Sequence, residues 1–273
     1  MSDASVEGNA QPPLPDLGSV KYEKLGHVAY VTLIRPEKLN ALTPAGWEEL
    51  RSCWADIAHD PAVYVAIITG TGRGFCAGLD VRALPSKDQP AAAESAVSRP
   101  PASGSLGLPA AFGLDKPLIA AINGIAAGAG LSLALQSQLR VMAEDAWLGD
   151  MHTKIGRLGA PQSLYASLPH AVAAYLTLCN GRLSAAECKQ LGIVNRVVTQ
   201  EQLLPAAEEL AAMVCRSAPR AVQAAVRLYR MADQNSVLAD YARHLTADLS
   251  ETNDAVEGGR ALAEHRPPVW TGN

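Results

Sequence analysis

Two glycine-dense junctions hold the residues best placed for chemistry. The first is Ile68-Thr69-Gly70-Thr71-Gly72-Arg73-Gly74-Phe75-Cys76-Ala77-Gly78-Leu79-Asp80, which closes an apolar, β-branched run beginning at Val63. The second is Asn123-Gly124-Ile125-Ala126-Ala127-Gly128-Ala129-Gly130, which follows the strand-like Pro117-Leu118-Ile119-Ala120-Ala121-Ile122. Glycine lets a chain turn sharply at the end of a strand and brings bare backbone N–H groups up to a ligand. Two separate N–H donors aimed at one oxygen form an oxyanion hole, suited to a reaction that drives negative charge onto a carbonyl oxygen.

With Arg35-Pro36-Glu37-Lys38-Leu39-Asn40-Ala41-Leu42 upstream, these segments resemble the crotonase superfamily (enoyl-CoA hydratase/isomerase). The likeness runs from about Val20 to Arg266-Pro267-Pro268. It implies an α/β fold, a crotonase-like spiral of ββα units. A helical C-terminal section would pack a homo-oligomer, a trimer or dimer of trimers. It implies an acyl-CoA thioester as ligand, with no metal or cofactor beyond the coenzyme A of the substrate. The donors it implies are the amides of Ala77 and Ala129, and losing one such donor typically costs roughly 3–4 kcal/mol of barrier. Around them it places Phe75, Gly78, Leu79, Asp80, Gly128 and Gly130 as the substrate-binding backbone. Lys38 is the cation best matched to the CoA phosphates, ahead of Arg35, Arg73, Arg82 and Arg266.

Hydratases of this family carry two glutamates that face the substrate double bond. The matching positions here hold Ser132 and His152. A serine is no general base near neutral pH without an activating neighbour, whereas a histidine, with an ordinary pKa of about 6.5, is. Asp150 lies two residues before His152. On an extended segment the two share a face, so the acid can orient the imidazole. Four functions fit these residues: a hydratase or isomerase with displaced acid–base groups, a histidine-dependent hydrolase or lyase, a non-catalytic acyl-CoA carrier or sensor, and a structural scaffold. Cys76, beside the first expected donor, reads as a small packing residue. Asp80 reads as a helix cap.

The elements that must position these groups follow from periodicity and punctuation. Tyr22–Leu25 and His27–Ile34 read as a hairpin about Gly26. Thr43-Pro44 reads as a helix start, and the helix ends at His59 before Asp60-Pro61. Strand, glycine turn and helix then recur: 63–69 with a helix after Gly78, and 117–122 with a helix after Gly128. Further strands are expected at 139–143 and 193–198, so the pattern calls for parallel strands with crossover helices. Residues 85–113 are a Pro/Ala/Ser/Gly segment that reads either as a mobile lid or binding loop or as a merely disordered loop. Ser184-Ala185-Ala186-Glu187 fits a capping box, and helical patterns follow at 203–215, 220–231, 237–249 and 255–264. The expected organisation is a disordered tail (1–19), a spiral core (20–200) and a helical C-terminal section (201–273).

The totals set outer limits. The chain has 273 residues, 48% of them hydrophobic, enough for a sizeable core. A formal net charge of −4 supplies no electrostatic footprint for nucleic acid or an anionic membrane. Five scattered cysteines without a CxxC pair suggest reduced thiols in a cytoplasm, not a zinc site or a disulfide framework. The start of the chain lacks the basic and apolar regions of a signal peptide, and no apolar run has the length of a membrane span. Gly70-x-Gly72-x-Gly74 fails the dinucleotide fingerprint, because its third glycine is misplaced and no strand follows.

Overall fold

Local signals account for the first elements. Strands β1 (Val20–Leu25) and β2 (Val28–Leu33) form an antiparallel hairpin through Gly26, whose φ is +57°. Helix α1 (Pro44–His59) is capped by the Thr43 hydroxyl, which accepts from Gly46 N–H at 3.1 Å. It buries Trp47, Leu50, Cys53, Trp54 and Ile57, one stripe at helical spacing. The computed structural model describes residues 18–80, 109, 113–159, 164, 167–233, 247 and 251–269. Almost all of the expected tail, the 85–113 loop and the 237–249 helix lie outside the described residues, as does any helix beyond Asp80.

The chain then alternates between two sheets. Strands β3 (Val65–Gly70) and β4 (Gly74–Cys76) are followed by β5 (Leu118–Ile122), β6 (Ile125–Ala127) and helix α2 (Ala129–Gln136). Next come β7 (Leu139–Ala143), β8 (Trp147–Gly149), helix α3 (His170–Leu178), β9 (Arg182–Ser184), helix α4 (Ala185–Gln190) and β10 (Arg196–Val198). The larger sheet has the order β1-β2-β3-β5-β7-β10, parallel throughout except for the hairpin. The smaller sheet has the order β4-β6-β8-β9, and its first three strands are parallel. A strand of one sheet followed by a strand of the other, with a helix closing the unit, is the expected ββα spiral.

The smaller sheet corrects one expectation. The glycine junctions do not pass directly from strand to helix; each first forms a three-residue strand, β4 or β6. These strands are short and buried on both faces, so they carry no alternation that a sequence pattern would reveal. The capping box on Ser184 and Glu187 is present as expected.

The core has two parts. Between the sheets and against α1 lie residues such as Leu33, Leu50, Trp54, Ile68, Phe75, Ile122 and Leu148. On the other face of the larger sheet, Val65, Ile67, Ile119, Ala121 and Val141 meet Leu203, Ala206, Ala207 and Leu210 of helix α5 (Leu203–Cys215). Alternate residues of β3 and β5 serve opposite faces, so the central strands read as continuous apolar runs. Helices α6 (Pro219–Asp233) and α7 (Asn253–Ala263) complete the described C-terminal section. Among the described residues no helix is long and apolar enough to cross a membrane.

Two buried asparagines hold the first glycine loop in shape. Asn40 Nδ2 donates to the carbonyls of Thr71 (2.9 Å) and Gly74 (2.7 Å), while its Oδ1 accepts from Arg35 N–H (2.8 Å). Asn123 Nδ2 donates to the carbonyls of Gly72 (2.9 Å) and Gly74 (3.0 Å), and its Oδ1 accepts from Gly70 N–H (3.1 Å). A loop with no regular ladder thereby has its buried polar groups paired. Replacing Asn123 with alanine strips Gly70 N–H of its partner, and a buried polar group left unpaired costs about 1–3 kcal/mol. Chemical denaturation should show N123A destabilised by about that amount; a stability change under about 0.5 kcal/mol would contradict this role.

Candidate active site

Strands β4, β6 and β8 run side by side in one direction, so the segments leaving their C-terminal ends emerge together. From β4 come Ala77, Gly78, Leu79 and Asp80; from β6, Gly128 and the start of α2; from β8, Asp150 and His152. Gly128 has φ +53° and ψ −117°, a conformation open to glycine and costly for other residues. The strand-to-helix corner is built on that residue. Gly130 follows where a Cβ would fall 1.9 Å from the Cys76 carbonyl oxygen, so α2 begins hard against the end of β4. Gly78 lies beside the same corner, since a Cβ there would sit 3.3 Å from Ala129 N.

Hydrogen bonding separates the amides spent inside the fold from those without a partner. Ala77 was expected to be the first donor, but its N–H donates to the Leu39 carbonyl at 2.9 Å and is spent inside the fold. Leu79 pairs with Leu42 in a parallel bridge: Leu42 N–H donates to Gly78 O (2.8 Å), and Asp80 N–H donates to Leu42 O (2.9 Å). In that pattern the amide of Leu79 itself turns away from Leu42. Among the described residues neither Leu79 N–H nor Ala129 N–H has a hydrogen-bond partner. Ala129 is the first residue of α2, where the helix has no acceptor for it and carries its positive dipole end.

The acid–base candidates sit at the same edge. Asp150 is buried, and its Oδ1 accepts from His152 N–H at 3.3 Å and pairs with His152 Nδ1 in a short contact. The expected extended segment is not what joins them. His152 has helical φ/ψ and starts a 3-10 turn (Thr153–Ile155), so the contact comes from an Asx-type turn. The far edge of the imidazole approaches the glycine corner: a Cβ at Gly128 would lie 3.5 Å from Cε1 and 3.7 Å from Nε2. Ser132, half-buried on the first turn of α2, holds its Oγ 3.5 Å from the Gly128 carbonyl.

The remaining expected residues separate by what else they touch. Phe75 is fully buried in the core, so its side chain serves packing. Asp80 is held by Arg35 at 3.2 Å, and Arg35 also donates to the Ala41 carbonyl at 2.7 Å. Asp80 is therefore part of an ion pair that pins the Leu39–Leu42 segment; a capped helix after it lies beyond the described residues. Arg266 is engaged by Glu257 and Glu264. Lys38 and Arg73 are exposed without a partner among the described residues, and Lys38 stands at the end of a 3-10 turn beside the segment that pairs with Ala77–Asp80. Leu79, expected only among the substrate-binding backbone, has its amide left without a partner among the described residues. The strict alternation of amide directions in a bridged segment identifies it once the partner segment is known.

The sequence model for enoyl-CoA hydratase/isomerase matches residues 23–273. An (E)-benzylidenesuccinyl-CoA hydratase of Thauera aromatica is 36% identical over 261 residues, covering 93% of this chain and 99% of the relative. A carnitinyl-CoA dehydratase of Citrobacter koseri is 36% identical over 265 residues, covering 93% and 98%. Among solved structures, a carnitinyl-CoA hydratase from Mycobacterium avium superposes with a TM-score of 0.80 at 30% identity, covering 93% of this chain and 99% of that one.

Cys76 can be tested as a rival nucleophile at this edge. Burial pushes its thiol up to about 12, and the Cys53 and Cys188 thiols are raised to about 12 as well, whereas Cys179 is exposed. The thiolate is the reactive form, so a raised pKa means inertness. Alkylation of the folded protein with iodoacetamide at about pH 8, read by peptide mass spectrometry, should label Cys179 and spare Cys76. Early labelling of Cys76 would contradict this placement.

Proposed function

The chain belongs to the enoyl-CoA hydratase/isomerase family, and we propose that it forms the enolate of a CoA thioester between Leu79 N–H and Ala129 N–H, with His152 moving the proton. The observation that carries this reading is the pair of unspent amides at the ends of neighbouring parallel strands, with Nε2 of a histidine alongside. As a base takes the proton α to a thioester carbonyl, charge builds on the carbonyl oxygen. Fixed donors in a dry site stabilise that charge without reorganising. The α2 dipole adds to them. Lys38, on the rim, supplies the cation for the CoA phosphates.

The reaction class is addition or loss of water, or migration of a double bond, next to the thioester. The hydratase and dehydratase names of the relatives support it. Ser132 and His152 stand where the family's two glutamates are expected, so His152 is the proton-transfer group and Ser132 contributes a hydroxyl only. The His152–Asp150 pair also favours a second reading, a histidine-dependent hydrolase or lyase built on the same enolate. We further propose that copies associate as a trimer or dimer of trimers. Tyr175 and Leu178 on α3 and Leu228 and Tyr229 on α6 are exposed apolar side chains suited to such contacts.

Two measurements test these proposals. The protein should turn over crotonyl-CoA or a long-chain 2-enoyl-CoA, and H152A should lower kcat by about 100-fold or more while calorimetry shows a saturated acyl-CoA still bound. Turnover unaffected by H152A would overturn the role of His152, and tight acyl-CoA binding with no turnover of any thioester would leave a carrier. Sedimentation should show a trimer or hexamer; a monomer at micromolar concentration would contradict the assembly.

A further inference from the structure

We propose that Thr177 is a positioning residue: its hydroxyl anchors Asp150 so that the carboxylate holds His152 with the proton on Nδ1 and the lone pair on Nε2. This rests on the reading of His152 as the proton-transfer group. Asp150 is buried, and its two oxygens are divided between two tasks. Oδ1 serves the His152 ring and backbone; Oδ2 accepts from Thr177 Oγ1 at 3.3 Å. A carboxylate tied through one oxygen alone can swing about its Cβ–Cγ bond and carry the imidazole with it. The second tie removes that freedom, and because a hydroxyl is neutral it does so without cancelling the carboxylate's charge.

Thr177 is itself held in place. It is buried in the last turn of α3, and its carbonyl accepts from Thr153 Oγ1 at 2.7 Å. Asn180, just past the same helix, accepts from Lys154 N–H at 3.1 Å. The end of α3 is thereby strapped to the turn that follows His152, so the hydroxyl and the imidazole move as one unit. Behind the ring stands Gly159, where a Cβ would fall 2.3 Å from His152 Nδ1. The ring is thus flanked by Gly159 on its Nδ1 side and by Gly128 towards Nε2.

The consequence is chemical. The carboxylate accepts a hydrogen bond from Nδ1–H, so the neutral ring keeps its one proton there and carries none on Nε2. In the proton transfer, the Cα–H bond of the thioester breaks and its electron pair passes into the enolate. The proton goes to Nε2, and Asp150 stabilises the imidazolium that results. Return of the proton from Nε2 to carbon restores the neutral ring.

The full-length protein, its T177V variant, which replaces the hydroxyl with a methyl of similar size, and T177S, which retains the hydroxyl, provide the test. Nitrogen-15 NMR of the His152 ring, at a pH where it is neutral, should show the Nδ1–H tautomer in the wild type and in T177S, and a mixture of tautomers in T177V. Losing one hydrogen bond to a charged group should lower kcat of T177V about tenfold, with KM changed by less than about twofold and activity kept in T177S. A wild-type ring protonated on Nε2 overturns the proposal whether or not T177V folds. An unchanged tautomer and kcat in T177V overturn it too. Activity that survives H152A instead sinks the reading of His152 itself and leaves the tautomer result standing.

Discussion

Backbone amides in a sheet are consumed by neighbours, and in strands β4, β6 and β8 that consumption stops at one common edge. Strand β4 pairs with β6 through a register irregularity between Gly74 and Cys76, and β6 pairs with β8; the strands end at Cys76, Ala127 and Gly149, with one last bond from Gly128 N–H to Gly149 O at 3.1 Å. Nearly all buried amides must find a partner. Among the described residues the amides of Leu79 and Ala129 are without a partner at this edge, and in the proposed reading a ligand oxygen completes the pairing. The rest of the structure serves that arrangement. Asn40 and Asn123 shape the loop entering β4, the Leu39–Leu42 segment absorbs the amides of Ala77 and Asp80, and Gly130 brings α2 up to Cys76.

Polar chemistry at the same edge is economical in charge. Asp80 is taken by Arg35, and Asp150 by His152 and Thr177, so both of these carboxylates are committed to partners. Among the described residues the imidazole of His152 is the titratable side chain placed against the Gly128 corner. An arrangement of main-chain donors plus one oriented imidazole suits proton movement next to a polarised carbonyl.

Much of this was legible in the residues themselves. Local rules located α1 by its Thr43 cap and its stop before Pro61, and likewise the hairpin at Gly26, the capping box at Ser184 and the strands around Ile67, Ile119 and Val141. The glycine junctions were visible, as was the nearness of Asp150 to His152. What escaped was non-local. The choice between Ala77 and Leu79 depends on residues 39–42 lying alongside, which no spacing within the junction reveals. Thr177 reaches Asp150 from another helix, and the turn that brings Nδ1 onto the carboxylate is set by a 3-10 segment where an extended one was expected. The three-residue strands β4 and β6 of the smaller sheet were hidden in the glycine- and alanine-rich junctions, which lack any period.

The most direct measurement is a crystal structure of the protein with a saturated acyl-CoA thioester. The account predicts the thioester carbonyl oxygen within about 3 Å of both Leu79 N and Ala129 N, with the Ala77 amide still bonded to Leu39. A carbonyl oxygen seated on Ala77 N, or held away from both unspent amides, would contradict it.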